Sequence, residues 1–334
     1  MKRFIRTIKT ALSYSLPLRY MRYRRRFRGI DIHPSANILA HGGVFDYTQG
    51  NAVGEHSSII LTERSRIYLG KGSWVGKDVL IEPVPGGAVV INDRSSIQDR
   101  CRLIGEVTIG ANVLLAPNVF ISSGNHFYDV EPYAPIRYQD ELVHSNAEYE
   151  ALRSQEVVIE DDCWIGTNVV IMRGVRIGKG AIIGANAVVT RDIDPYWIAG
   201  GIPAKKLKPR FNFVPPSYIN VTVKEQWPFF YSGLLLETQN GSSLMRMGRE
   251  FVVCLKPAAE TAVKEISLQV DARQLPGGTT LQYNGHAQTL QEGIHKYTFP
   301  AGAATDGMYQ FTLTFPAAAG PGQAKLYLAE AGLQ

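Results

Sequence analysis

Of the seven histidines in this 334-residue chain, one stands where its imidazole could do chemistry. His126 opens a long polar, aromatic and proline-bearing stretch, Ser122-Ser-Gly-Asn-His-Phe-Tyr-Asp-Val-Glu-Pro-Tyr-Ala-Pro-Ile-Arg, which interrupts an otherwise regular pattern. His33, His41, His56, His144, His286 and His295 lack that placement. An imidazole, with a reference pKa of about 6.5, can take a proton from a hydroxyl near neutral pH. Some partner must orient the ring. Asp129, Glu131, Asp99 and a backbone carbonyl are all candidates, and the sequence does not choose among them. Asn125 is the other polar neighbour. Zinc chemistry needs several converging ligands, and a single histidine near the interruption does not supply them, so no metal is expected. The three cysteines, Cys101, Cys163 and Cys254, are widely spaced and odd in number. They form neither a disulfide framework nor a metal motif, which suits a reducing compartment.

The element that must carry His126 is a repeat. Stepping by six from Ile91 gives Ile97, Leu103, Ile109, Leu115 and Ile121; stepping by six from Ile159 gives Ile165, Ile171, Ile177, Ile183 and Val189. A second track of smaller residues runs four positions later: Ser95, Cys101, Val107, Val113 and Val119, then Cys163, Val169, Val175, Ala181 and Ala187. Leu69, Val75 and Ile81 extend the pattern weakly upstream, and Val53 and Ile59 hint at one more rung. A step of six suits neither a helix nor a plain alternating strand. It suits a chain that turns a corner every six residues, so that three flat faces close a coil of about 18 residues and stacked coils bury one inward column. Gly110, Gly166, Gly178 and Gly184 follow the aliphatic residue, where corners are expected to need small or permissive residues. The pattern stops at Ile121 and resumes at Ile159, leaving 122–158 as an extruded loop. Loops of that length in a regular solenoid are often functional.

These residues bring a resemblance into view. Trp164-Ile-Gly-Thr-Asn-Val-Val-Ile, then Ile183-Gly-Ala-Asn-Ala-Val-Val-Thr-Arg-Asp-Ile, and finally Gly200-Gly-Ile-Pro-Ala-Lys-Lys-Leu resemble the hexapeptide-repeat acyltransferases, nearest to the maltose and galactoside O-acetyltransferase branch with its polysaccharide-modifying members. The match is strong over about 90–210, loose over about 30–90, and absent elsewhere. It implies a left-handed parallel β-helix, a handedness the period alone does not give. It also implies an acetyl-CoA donor, a homotrimer with sites between neighbours, and His126 as general base where the loop leaves the coil. On the donor side it implies Trp164 and Thr167 against the pantetheine, Ala185 through its backbone, Thr190 and Arg191 near the nucleotide, and Lys205 on the phosphates with Lys206 and Arg210 nearby. A point cation suits phosphate. The acceptor side is expected at Asn125, Asp99 and Asp129, with Ile97-Gln-Asp-Arg standing where the sugar acetyltransferases have an Asn-rich stretch.

The ends differ from the middle. The chain carries a net charge of +5, yet ten Lys and Arg fall in residues 1–28 with no acid before Asp31. Ile5, Ile8 and Leu12 share a helical face there. A basic amphipathic arm of this kind over 1–30 suits an anionic membrane surface or packs on the trimer. Unchanged membrane recovery after deletion of 1–28 would remove the first of these. No nucleic-acid partner is expected, because no nucleic-acid fold accompanies the charge. A cytoplasmic location follows, at the inner face of the membrane if the arm binds it.

After Pro209 the period is gone, and Pro215-Pro216 reads as a linker. Tyr218–Val223, Phe251–Leu255, Ile266–Val270, Thr280–Tyr283, His295–Phe299, Tyr309–Phe315 and Lys325–Leu328 read as short strands between turns such as Pro276-Gly-Gly and Asn284-Gly, predicting an antiparallel β-sandwich, jelly-roll-like, over 212–334. Trp227, Phe229, Phe230 and Tyr231 are its candidate sugar platform, or its core. The whole chain thus reads as an all-β protein with a β-helix over 31–211. The expected activity is acetyl transfer from acetyl-CoA to a sugar hydroxyl of a cell-surface polysaccharide or its lipid-linked precursor. Alternatives are N-acetylation of a nucleotide-linked amino sugar, or a non-catalytic glycan-binding scaffold, which should not keep both His126 and the ordered donor-side set.

Overall fold

The computed structural model describes residues 21, 23, 25–212, 214–239, 242–257, 263–274, 279–283, 285–301, 309–314 and 325–333, in two compact units, 1–211 and 212–334. Ile5, Ile8 and Leu12, and the turns at Pro276 and Asn284, lie outside the described residues.

In the first unit the six-residue step becomes three parallel sheets of nine, seven and six strands, the nine-stranded one ending in an antiparallel strand, Lys205–Pro209. Together they form a left-handed parallel β-helix. Each strand is short because the chain turns after every inward residue. On the first face Ile97 lies beside Leu115 and Ile165 beside Ile183; on the second, Leu103 beside Ile121 and Ile171 beside Val189; on the third, Ile91 beside Ile109 and Ile159 beside Ile177. All twelve are buried, as is the whole second track from Ser95 to Ala187. The third face carries a pair of inward residues per coil, Ile67 with Leu69 and Val89 with Ile91.

The regular coils advance 18 residues, as for Ile97 beside Leu115. Upstream the advance is 22, as for Val75 beside Ile97 and Ile81 beside Leu103. The difference sits in the corner before the third face, lengthened by Thr62–Ser65 in one coil and Pro83–Gly87 in the next. This is why the step of six fades upstream although the coil continues.

Of the two reasons expected for the corner glycines, small size and a permissive backbone, the structure shows the first. Gly110, Gly166, Gly178 and Gly184 do not adopt positive φ; Asn112, Asn118, Asp162, Asn168, Gly174, Gly180 and Asn186 do. Asparagine tolerates that left-handed conformation better than most residues. The glycines after the aliphatic track are small for steric reasons. A Cβ at Gly110 would stand 2.6 Å from the Asp161 amide nitrogen of the next coil, whereas at Gly184 the nearest atom is 3.5 Å away. Gly110→Ala should therefore cost about 1–3 kcal/mol, in the range of overpacking, while Gly184→Ala should be near neutral. Thermal denaturation of the two variants checks this, and equal melting temperatures would refute it.

At the N-terminal end the described part of the basic arm is a helical turn that closes the prism. The Phe27 amide donates to the Tyr23 carbonyl at 2.7 Å, the Tyr23 hydroxyl donates to the Ala36 carbonyl at 2.8 Å, and Phe27 is buried against Phe45 and Tyr47. An open solenoid end would expose its inward column, and these rings cover it. Among the described residues no helix is long and apolar enough to cross a membrane.

The second unit is an antiparallel β-domain of nine strands around its own core, including Phe230, Phe251, Leu268 and Phe299. Its strands are hydrogen-bonded into one continuous sheet rather than two separate ones: the strand Ser242–Leu255 pairs with Ser232–Gln239 through its first part and with Tyr309–Thr314 through its last. The aromatic group near 227–231 belongs to this core. Phe229 and Phe230 are buried, so neither serves as a sugar platform, and the half-buried Trp227 packs on the same core while its indole donates to the Val221 carbonyl at 2.7 Å.

Candidate functional site

The interruption leaves the prism at the corner after the second face, following the strand Phe120–Ser122, and returns at Val157–Ile159. Its base is pinned by buried Ser123. The Ser123 hydroxyl accepts from the Glu106 amide at 2.8 Å and pairs with the Ser154 hydroxyl at 2.7 Å, while the Gln155 amide donates to the Ser123 carbonyl. Closing the base this way lets a long excursion occur without disturbing the register, since Ile109 still pairs with Ile159.

The sequence reads the excursion as loop, but it holds a helix, Ile136–Ser145, that starts after Pro135. Proline suits a helix start because it lacks an amide that would go unpaired there. Gln139 and Val143, four apart, are the buried residues of this helix. Gln139 ties the preceding turns to it: its Oε1 accepts from the Glu131 amide at 3.1 Å and its Nε2 donates to the Ala134 carbonyl at 2.9 Å. Arg153 caps the other end by donating to the Val143 and Asn146 carbonyls at 3.0 Å each.

That helix supplies the partner of His126. Asp140 Oδ2 lies 2.7 Å from His126 Nδ1, and Asp140 Oδ1 accepts from the Phe127 amide at 2.9 Å. The Phe127 amide bond, followed by the bond to His126, holds the Asp140 carboxyl below its usual range. An ionised carboxylate only accepts, so Nδ1 carries a proton, and the neutral ring held this way is the tautomer with the lone pair on Nε2. The His126 side chain is 82% exposed, so Nε2 faces solvent. The ring is thus fixed on one side and open on the other, the arrangement a general base requires.

Asp129, Glu131 and Asp99 do not orient the ring. Asp129, three residues further along the loop, and Asn125, beside the histidine, are both exposed. Glu131 is exposed, and it is its amide that is held by Gln139. Asp99 sits on another corner, where its Oδ1 accepts from the Lys77 amide at 2.9 Å beside Gly76. The same bracket recurs as Asp93 on Lys71 and Asp161 on Ala111, so Asp99 is committed to joining coils, which argues against the acceptor role expected of it. The helical periodicity after Pro135 is the only sequence signal that could have drawn attention to Asp140, and it does not reveal that the helix folds back on His126.

The donor-side residues divide between two corners. Trp164, 53% exposed, stands on the first face between Leu114 and Ile182. Thr167 and Ala185 follow on the corner after that face, joined where the Asn186 amide donates to the Thr167 carbonyl at 2.9 Å. The antiparallel strand Lys205–Pro209 brings Lys205 beside Gly200 at the end of the same face. Thr190 and Arg191 instead occupy the corner after the second face, in the column of Ser122 and Met172 from which the His126 loop departs. Of the cations, Lys206 pairs with Asp194 and Arg210 with Asp162, whereas Lys205 is exposed and makes no ion pair among the described residues. Neither buried thiol of the prism is a nucleophile. Burial pushes Cys101 up to about 11 and raises Cys163 as well.

Residues 156–191 match the bacterial transferase hexapeptide family (six repeats). Over 111 residues the chain is 40% identical to a chloramphenicol acetyltransferase of Klebsiella aerogenes, covering 32% of this chain and 51% of that protein. Over 146 residues it is 30% identical to a protein of Escherichia coli strain K12 that bears the name of a lipopolysaccharide biosynthesis O-acetyl transferase, covering 42% of this chain and 71% of that protein. A solved hexapeptide-repeat-containing acetyltransferase of Vibrio cholerae aligns at 25% identity with a TM-score of 0.33, covering 52% of this chain and 76% of that one. The chain spans about half the length of the first of these relatives. With its coil, its corner pattern and a relative matched over most of that relative's length, the chain belongs to the hexapeptide-repeat acyltransferase family.

Proposed function

We propose that this protein transfers an acetyl group from acetyl-CoA to a sugar hydroxyl, with His126 as the general base. The observation that carries this reading is the His126–Asp140 pair, which fixes the ring through Nδ1 and leaves Nε2 open to solvent at the mouth of the loop. The acceptor hydroxyl attacks the thioester carbonyl as Nε2 takes its proton. A C–O bond forms, and the tetrahedral oxyanion collapses with cleavage of the C–S bond. The imidazolium then returns the proton to the leaving thiolate. Nothing is oxidised, and no metal is needed to balance the step. Direct transfer requires both substrates to be bound together, so positioning supplies much of the rate.

The division of the site between two corners supports an oligomer. One prism holds Trp164, Thr167, Ala185 and Lys205 along the first face and the corner after it, and His126, Thr190 and Arg191 at the next corner, so a second copy against the first is what would complete the donor site beside an imidazole. A three-fold arrangement suits a triangular prism. Full activity in a chain that sediments as a monomer would remove this part of the proposal.

A sugar acceptor is favoured by the name of the Escherichia coli relative. The identity to a chloramphenicol acetyltransferase keeps a second acceptor class in play. Thiol release from acetyl-CoA, measured with capsular, O-antigen and exopolysaccharide fragments, a nucleotide-linked amino sugar and chloramphenicol, separates these readings. Acceptor-dependent release with a glycan supports the proposal; release with chloramphenicol or the amino sugar alone replaces the acceptor, and none with any acceptor sinks it. In the same assay Lys205→Ala should raise the KM for acetyl-CoA about tenfold or more with kcat unchanged, because a lost charge-assisted phosphate contact is worth about 1.5–3 kcal/mol. An unchanged KM would take Lys205 out of the donor site.

A further inference from the structure

The outer face of the second unit contains a polar pocket that the transfer chemistry does not use. It is a cavity of about 220 Å³ lined by Tyr218, Ser267, Gln269, Lys296 and Gly332 among others. We propose that it binds one carboxylate-bearing pyranose unit of a glycan. The assignment rests on the reading of the chain as a glycan-modifying enzyme, and gives the accessory domain the task of holding the polymer.

The strand pattern aims these side chains to one side. In Glu265–Gln274, Ile266, Leu268 and Val270 point into the core, so Ser267 and Gln269 point out. Gln269 lies opposite Lys296 of the neighbouring strand, and Ser267 lies opposite Gly332 on the other side, which in turn faces Tyr218. Gly332 has a steric role. A Cβ there would stand 3.0 Å from Tyr218 Cδ2, so the glycine lets the ring lean over the sheet. Tyr218 remains 47% exposed, which leaves much of the ring open to a ligand. Its hydroxyl accepts from Asn220 Nδ2 at 3.3 Å, and Asn220 Oδ1 is itself fixed by the Thr222 amide at 2.8 Å. The aromatic surface is thus oriented before any ligand arrives.

Around it stand a planar amide and an ammonium with no hydrogen bond or ion pair among the described residues, those of Gln269 and Lys296. An aromatic ring meets the C–H face of a pyranose, an amide both donates to and accepts from ring hydroxyls, and a lysine offers three donors and a positive charge to a carboxylate. The cavity is smaller than the roughly 300–1,000 Å³ of ordinary small-molecule sites, a size for one ring of a longer chain.

The test uses the full chain without acetyl-CoA, titrated calorimetrically with trigalacturonate, a hyaluronan tetrasaccharide and neutral maltotriose. At least one acidic oligosaccharide should bind about tenfold or more tightly than maltotriose. Tyr218→Ala should weaken that binding about tenfold or more, and Lys296→Gln should erase the preference for acid. Gln269→Ala is a second surface variant that keeps the test decisive if Tyr218→Ala lowers the melting temperature. No binding of either acidic sugar, a preference for maltotriose, or affinities unchanged in all three variants would overturn the assignment. Thiol release with a short free acceptor should stay at the wild-type level in Lys296→Gln, and a loss there would count against a site separate from the chemistry. If thiol release fails in the wild-type chain while acidic sugars bind, it is the catalytic reading that falls and not this one.

Discussion

His126→Ala is expected to lower kcat for acetyl transfer by about 10²- to 10⁴-fold, the usual contribution of a positioned general base. The side chain is 82% exposed, and among the described residues its hydrogen bond is confined to Asp140, so the melting temperature should not move. The KM for acetyl-CoA should also hold, because the donor is assigned to other side chains, Trp164, Thr167, Thr190, Arg191 and Lys205 among them, none of which His126 contacts. A loss in kcat with binding intact marks an interaction made in the transition state. Full activity in the variant would remove His126 as the base, and the mechanism with it.

Asp140→Asn should come next in size, on the order of 10²-fold or more in kcat, for a subtler reason. The amide keeps the shape of the carboxylate and can still accept from the Phe127 amide. Its remaining group, however, no longer compels the proton onto Nδ1, so the ring loses the tautomer that leaves Nε2 free. On the proposed mechanism Asp140 is a positioning residue that acts through His126. Three readouts separate this from a general loss of structure. The KM for acetyl-CoA should stay constant, Asp140→Glu should restore part of kcat, and the melting temperature should fall little. If Asp140→Asn retains wild-type kcat, or if Asp140→Glu is no better than Asp140→Asn, the orienting role fails. The pH dependence has a definite sign. The carboxyl is held below its ordinary range in the folded chain, so its two bonds are fully present above the pKa of a free aspartate. They are lost as pH falls through the depressed value, and the loop helix should loosen in that acidic window rather than near neutrality. Hydrogen exchange at the Phe127 amide, which Asp140 protects, reports this directly.

The site and the prism were legible to different degrees, and particular residues show why. The twelve aliphatic stops from Ile91 to Val189 specify the coil because each performs the same local task, pointing inward once per face, so the pattern repeats along the chain whatever the tertiary detail. His126 was legible as well, since it stands where that repetition breaks. The longer upstream coils hid the step of six around Thr62–Ser65 and Pro83–Gly87, because the added residues sit in corners and leave the inward columns aligned.

What repeats along the chain was therefore set by the sequence alone: the parallel faces, the buried columns, the place of the interruption and the change of character after Pro209. What depends on chain segments meeting once was decided only in three dimensions. Asp140 reaches His126 across 14 residues by way of a helix anchored through Gln139, and no period encodes that meeting. The steric demand on Gly110 comes from Asp161, on the far side of the excursion, and the lean of Tyr218 over Gly332 joins residues more than a hundred positions apart. The physical reason is the same in each case. A repeated burial pattern acts at every coil, whereas a single contact depends on how loops and strand ends close, and that geometry exists only once the chain has folded.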